Sequence, residues 1–383
     1  MRKFISCIVP LVAVILLSPS CSKNSGMYIP ANEGTFGMKV TFAPVVVKST
    51  NGKINLLYSV EMSDFGTEGY KLKDFQVLNS ANGTLLCSLS DTGKYMLVHK
   101  PAIESIPEEL FYYPLVGHAT YRFSIGLVLD PAQVPTKIKH RLVLTKDTKD
   151  KIIDAAETSV SVGSIPVFSS PLKGDRFVSA NTTTLINNQH PGYQITYRGN
   201  TTVPERFCVD WNKIDATGTP YHGDSGIYGN WYIYGQNVYA VAEGSVIAVN
   251  DGMPDQSPVG TLSNDLNLYN GGGNSVVVYI AGVGYTIYGH MIPNSIVVKT
   301  GQSVTKGQLI GKVGNSGNSQ APHLHFGLHT EFPYYISEGL PYYIDSMEKT
   351  GSTGKPGGTL VTLPVSVVLL NELVENCGVY NLR

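Results

Sequence analysis

The sequence predicts an all-β protein in two parts, a β-sandwich followed by a second, glycine-rich β domain. Three observations carry this. Short runs rich in Val, Ile and Tyr recur along the chain with apolar and polar residues alternating, the period of a half-buried strand. Gly, Pro and Tyr number 40, 22 and 23 of 383 residues, which calls for many turns and short strands. A Pro/Gly/Ser-rich stretch, "VGSIPVFSSPLKGDRF" at 162–177, divides two regions of different texture.

The first element is a targeting segment. Arg2 and Lys3 precede "FISCIVPLVAVILLS", an apolar run too short for a membrane span, and residues 1–20 read as a signal peptide. The small residues of "SPSC" before Cys21 resemble the lipobox of a bacterial lipoprotein. That resemblance implies cleavage before Cys21, lipidation of Cys21 and membrane attachment through several acyl chains. The expected location is the cell envelope, exported and facing the periplasm. Residues 21–36 read as a tether. Of five cysteines, Cys87, Cys208 and Cys377 remain beyond this segment, an odd and scattered set that does not form a disulfide framework. A net charge of −1 without long charged runs argues against nucleic acid as a partner.

Residues 37–165 carry about seven strand-like runs, among them "INLLYSVEMS", "LKDFQVLNS", "TYRFSIGLVL" and "HRLVLTK", with Asn51-Gly52 and Asn82-Gly83 as turn signals. This spacing predicts an immunoglobulin-like β-sandwich. His99, His118 and His140 are scattered through it and read as surface or packed side chains. A protein or glycan partner for this domain is one expectation. Residues 166–177 read as a linker, 178–345 as the second domain and 346–383 as a C-terminal extension.

The second domain holds the chemistry. In "HLHFGLHT", from 323, alternation puts His323 and His325 on one face and Leu324 and Phe326 on the other. Two adjacent imidazoles suit a metal site, or one ligand beside an acid/base group. His290 ends the aromatic run "GYTIYGH"; if its strand neighbours the His-x-His strand, it faces the same pocket. In "ERFCVDW", Cys208 and Asp210 share one face and Phe207, Val209 and Trp211 the other. A carboxylate in so apolar a strand needs a metal or an ion partner. Cys208 reads as a small buried hydrophobe. His329 shares the face of His325 and is placed to orient a ligand.

The runs "NVYAVAEGSVIAV", "GYTIYGHM" and "VVKTGQSVTKGQLIGKVGNSGNSQAPHLHFGL" resemble the lysostaphin/LytM-type zinc endopeptidases of the duplicated-hybrid-motif fold. The resemblance implies a lysostaphin-type β domain over 178–345. It implies Zn2+ as cofactor, with Asp210 and His325 as ligands and His323 and His290 in catalysis. It further implies an endopeptidase acting on the peptide stems and cross-links of bacterial peptidoglycan. One position departs from the family: Arg206 stands where the family has its first histidine ligand, and a guanidinium cannot coordinate zinc. Arg206 reads as a surface residue, a carboxylate partner or a substrate contact. His190 is the proposed replacement, on a β-hairpin turning near Gly199-Asn200 that would set His190 opposite Asp210. His222 is the rival, and a site without a third protein ligand is the remaining option. In that last case the chain is a binding or activator module for other cell-wall hydrolases.

Overall fold

The computed structural model describes residues 29–30, 37–63, 70–89, 96–99, 113–114, 120–182, 190–197, 200–262, 265–267, 269–354 and 357–383. The expected signal peptide over 1–20, Cys21 and His118 lie outside these residues. Among the described residues all regular structure is strand, apart from three short 3-10 turns. No helix among them is long and apolar enough to cross a membrane.

The N-terminal part is two sheets on one core. Ile54–Ser63 pairs along its whole length with Thr120–Leu129, and Gly37–Phe42 flanks it on the other side. In the second sheet Lys137–Lys146 lies between Lys71–Asn79 and Lys149–Ser159. Alternation sends Leu56, Tyr58 and Val60 from one sheet, and Phe75, Val77 and Leu142 from the other, into the shared interior. Phe75 and Phe123 stack there with ring centroids 4.1 Å apart. His140 is packed, not exposed. Its Nδ1 donates to the Ala156 carbonyl at 2.8 Å, and its Nε2 accepts from the Tyr58 hydroxyl at 3.0 Å. Ile29–Pro30, inside the expected tether, pairs with Gly37 and Met38 as a further edge.

The second part is built on an eleven-stranded sheet. Its middle runs antiparallel in the order Asn274–Ile280, Gly284–Met291, Leu324–His329, Val209–Lys213, Gly174–Ala180. Two expectations change here. The expected linker 166–177 is structural: Val167–Phe168 pairs in parallel with Tyr343–Ile344, Gly174–Ala180 is a sheet strand, and Phe168, Leu172 and Phe177 are buried. Its Pro/Gly content reflects sharp turns between short strands. The expected extension 346–383 supplies three more strands of the same sheet, Met347–Ser352, Val361–Leu369 and Gly378–Leu382, and buries Met347, Tyr380 and Leu382.

The two parts share a boundary without a spacer. The strand Ile54–Ser63 is buried on both faces, because Leu57 joins the core of the second part while Leu56 and Tyr58 serve the first. Nearby, Thr50 Oγ1 meets Tyr380 Oη at 2.6 Å, and Leu373 exchanges backbone hydrogen bonds with Lys48 and Thr50. A strand sandwiched in this way reads as a near-continuous apolar run, which "INLLYSV" is.

Candidate metal centre

Three adjacent strands position the site. Asp210 pairs in register with His325 on one side and with Ala180 on the other, and Gly289 pairs with His325 from the next strand. Cross-strand partners share a face, so Asp210 and His325 project together, and His325 Nδ1 stands 3.0 Å from Asp210 Oδ1. His323 precedes its strand, and its Nε2 lies 3.4 Å from the same oxygen. His290 arrives by a different device. The register between Asn274–Ile280 and Gly284–Met291 slips near His290, a one-residue bulge, and His290 has φ of 60°. A left-handed histidine costs backbone energy, and the bulge re-aims its ring toward the neighbouring strand. Its ring centroid ends 4.5 Å from that of His323 and 5.9 Å from that of His325.

His190 joins the group, though by another route than the expected hairpin. The hairpin exists, with Ile195–Tyr197 paired to Asn200–Thr202. It ends there: the chain then turns through 204–207 before entering Val209–Lys213, and Asp210 takes its partners from other strands. His190 sits in the turn leading into the hairpin, with Nε2 3.3 Å from Asp210 Oδ2 and Nδ1 3.4 Å from the Cys208 carbonyl. Asn181 also donates to Asp210 Oδ2, at 2.7 Å.

The donor atoms of His190, Asp210 and His325 all lie within 4.8 Å of one another, and all three residues are buried. Ligand atoms around a tetrahedral zinc, with bonds of about 2.0–2.1 Å, stand about 3.4 Å apart; His325 lies 3.0 Å from one Asp210 oxygen and His190 3.3 Å from the other, so small side-chain shifts would gather the three on one ion. Two imidazoles and one carboxylate also form the donor set of a catalytic zinc. The Asn181 amide, which donates to Asp210 Oδ2, supplies a second layer behind the carboxylate ligand.

The electrostatics follow the same geometry. Burial works against charge on His190, but Asp210 and Glu205 outweigh it and hold its pKa at about 9. Burial would likewise raise Asp210, yet His190 and His323 keep it well below the usual carboxylate range. His290 goes the other way: burial, reinforced by His323 and His325, pushes it well down.

His222 is exposed and packs beside Tyr232, apart from the cluster. His329 is buried, its Nδ1 3.1 Å from Ser337 Oγ and its Nε2 3.9 Å from Cys208 Sγ. Burial first, and His325 second, push it down to about 3. Cys208 is a buried hydrophobe, its thiol pushed up by burial. Arg206 is 1% exposed, not a surface residue, and pairs with Glu338 at 3.0 Å. Sequence reasoning missed Glu205, whose carboxylate is 3.9 Å from His190 Nε2, and the aromatic wall of Tyr193, Tyr334 and Tyr335. The acidic neighbour of Arg206 in "ERFCVDW" was the available signal for the first.

The cluster floors an open cleft of about 610 Å³. Fold and site together define a metallopeptidase-like β protein. The family model for peptidase family M23 matches residues 231–335, and the chain carries a domain of that family. The match takes in His290, His323 and His325, while His190 and Asp210 precede it. No curated protein matches the chain. Similar solved structures include the catalytic domain of lysostaphin from Staphylococcus simulans, 27% identical over 33% of this chain and 86% of that one, with a TM-score of 0.20. A zinc-containing peptidase from Vibrio cholerae is 14% identical over 76% of this chain and 81% of its own, TM-score 0.21. Csd3 of Helicobacter pylori is 13% identical over 74% and 71%, TM-score 0.24.

Proposed function

We propose that the chain is a zinc-dependent endopeptidase that hydrolyses peptide cross-links of bacterial cell-wall peptidoglycan, exported and anchored through a lipid on Cys21. The convergence of His190 and His325 on the Asp210 carboxylate, with His290 and His323 alongside, carries this reading. His190, Asp210 and His325 would hold the zinc, which when bound supplies Lewis-acid polarisation of a carbonyl and a water acidic enough to attack near neutral pH.

The chain's own residues then handle protons and position. His323 donates Nδ1–H to the Ala321 carbonyl at 2.7 Å, and His290 donates Nδ1–H to the Ser316 carbonyl at 2.7 Å. Each neutral ring therefore offers its Nε2 lone pair. One ring accepts the proton of the attacking water and, once cationic, returns it to the departing amine. The second ring packs against the first, its Nδ1–H tied to a backbone carbonyl, and helps to position the reacting groups. At the cleft edge Gly272 makes room for Tyr334, because a Cβ there would overlap the Tyr334 hydroxyl. The test is zinc content of the purified chain together with release of cross-linked peptides from isolated peptidoglycan. Bound zinc with peptide release supports the reading. A zinc-free protein that releases nothing after zinc is added back would leave only the binding-module reading.

A further inference from the structure

We infer that the N-terminal sandwich is part of the scaffold of the metal site, with Arg122 and Ser124 as positioning residues for His190. This rests on the reading of His190 as a ligand. His190 is not carried by the large sheet. It belongs to a turn and a two-stranded hairpin, Ile195–Tyr197 with Asn200–Thr202, that forms a separate small sheet. Such a ligand needs external bracing to hold its geometry. The sandwich supplies it from one strand, Thr120–Leu129. Arg122 Nη1 donates to the Thr201 carbonyl at 2.9 Å, and Gln194 Nε2 donates to Ser124 Oγ at 3.1 Å. Arg122 is itself fixed by Glu61, 2.5 Å away on the adjoining strand.

The far end of the same segment is held by the same domain. Val203 N donates to Glu338 at 3.2 Å; Glu338 pairs with Arg206; and Arg206 donates to Ser59 Oγ at 2.9 Å while its guanidinium lies 4.2 Å from the Phe42 ring centroid. Residues on both sides of the hairpin, from Gln194 to Arg206, are thus tied to the sandwich. The unusual arginine and the displaced histidine have one cause in this arrangement. The position that would carry a same-strand ligand is spent on docking the sandwich, and the docked sandwich holds the hairpin that delivers the ligand instead.

The test uses the full mature chain with the double variant Arg122→Lys/Ser124→Ala. Lysine keeps a cation beside Glu61 while giving up the guanidinium fork. The control is Thr50→Ala, which loosens the same domain boundary at Tyr380, away from the hairpin. Zinc affinity is read by competition with a chromophoric chelator, and amide exchange is followed over 190–203. The double variant is expected to bind zinc about 10-fold more weakly, with faster exchange in that segment. The control should change neither. Unchanged zinc affinity and exchange in the double variant would overturn the bracing, and so would an equal loss in Thr50→Ala, which marks a general effect of docking. A wild-type chain that takes up no zinc would instead sink the ligand assignment itself.

Discussion

Arg206 Nη2 reaches across the boundary between the two parts of the chain to Ser59 Oγ, 2.9 Å away. The same nitrogen is 3.0 Å from Glu338 Oε2, and the side chain is only 1% exposed. Burial lowers the pKa of the guanidinium, and Glu338 opposes that shift. Removing one member of so buried a pair leaves the other charge without compensation, a loss of about 3–5 kcal/mol. Arg206→Ala is expected to fall at the lower end, because Glu338 keeps some contact with water. Denaturant unfolding measures it, and a loss below about 1 kcal/mol would place the pair with ordinary surface ion pairs.

The direction of Arg206 leads to a second expectation. Its side chain points to the sandwich, away from Asp210, so restoring a histidine there creates no ligand. The double variant His190→Ala/Arg206→His should bind no more zinc than His190→Ala alone. Recovery of roughly one zinc per chain in the double variant would show that position 206 still faces the ion.

Much of this site was legible in the sequence, and the reasons differ by residue. His325 and Asp210 lie on strands, where a period of two fixes the face, His323 stands one residue ahead of the strand of His325, and the pairing of Asp210 with His325 needs only antiparallel neighbours. His290 was legible as a strand end, but the bulge that turns it was not, since no glycine marks φ at that position. His190 comes close to Asp210, yet the opposed-strand geometry expected for it does not occur, because the turn at 204–207 breaks the hairpin from the next strand. The C-terminal strands were hard to place for a related reason. Val361–Leu369 alternates apolar residues at 361, 363, 365 and 367, yet it is mostly exposed along its length, so its pattern points to no core that would place it. In the expected linker, Phe168, Leu172 and Phe177 are too widely spaced among Pro and Gly to show a period.

Metal ligands and proton-transfer groups should separate by experiment. Replacing His190, Asp210 or His325 by Ala is expected to abolish stoichiometric zinc, while His222→Ala keeps it. His290→Ala and His323→Ala should retain zinc and lose about 10²–10⁴-fold in kcat on a cross-linked peptide. Elemental analysis beside steady-state kinetics distinguishes the two sets. Loss of zinc in His323→Ala would move that residue among the ligands, which its 3.4 Å approach to Asp210 makes worth checking.

The sandwich carries a pH dependence of its own, well away from the metal centre. His140 is fully buried, and desolvation, partly offset by the Ala156 carbonyl, lowers its pKa from 6.5 to about 4. The folded state thus holds the neutral ring, whose Nε2 accepts from Tyr58. Between pH 6.5 and about 4 the unfolded chain binds a proton at this residue that the folded chain refuses. Stability therefore rises with pH through that window and is lost as pH falls through it; below about 4 both states are protonated and the contribution levels off. A shift of this size corresponds to about 3 kcal/mol. His140→Gln keeps an acceptor for Tyr58 without the titration, so its unfolding free energy should fall less steeply on acidification. The difference between wild type and variant, measured by denaturant unfolding at pH 7 and at pH 4, is expected to change by about 3 kcal/mol in the variant's favour. Parallel pH profiles for the two proteins would mean that His140 is already protonated, or freely hydrated, within the folded sandwich.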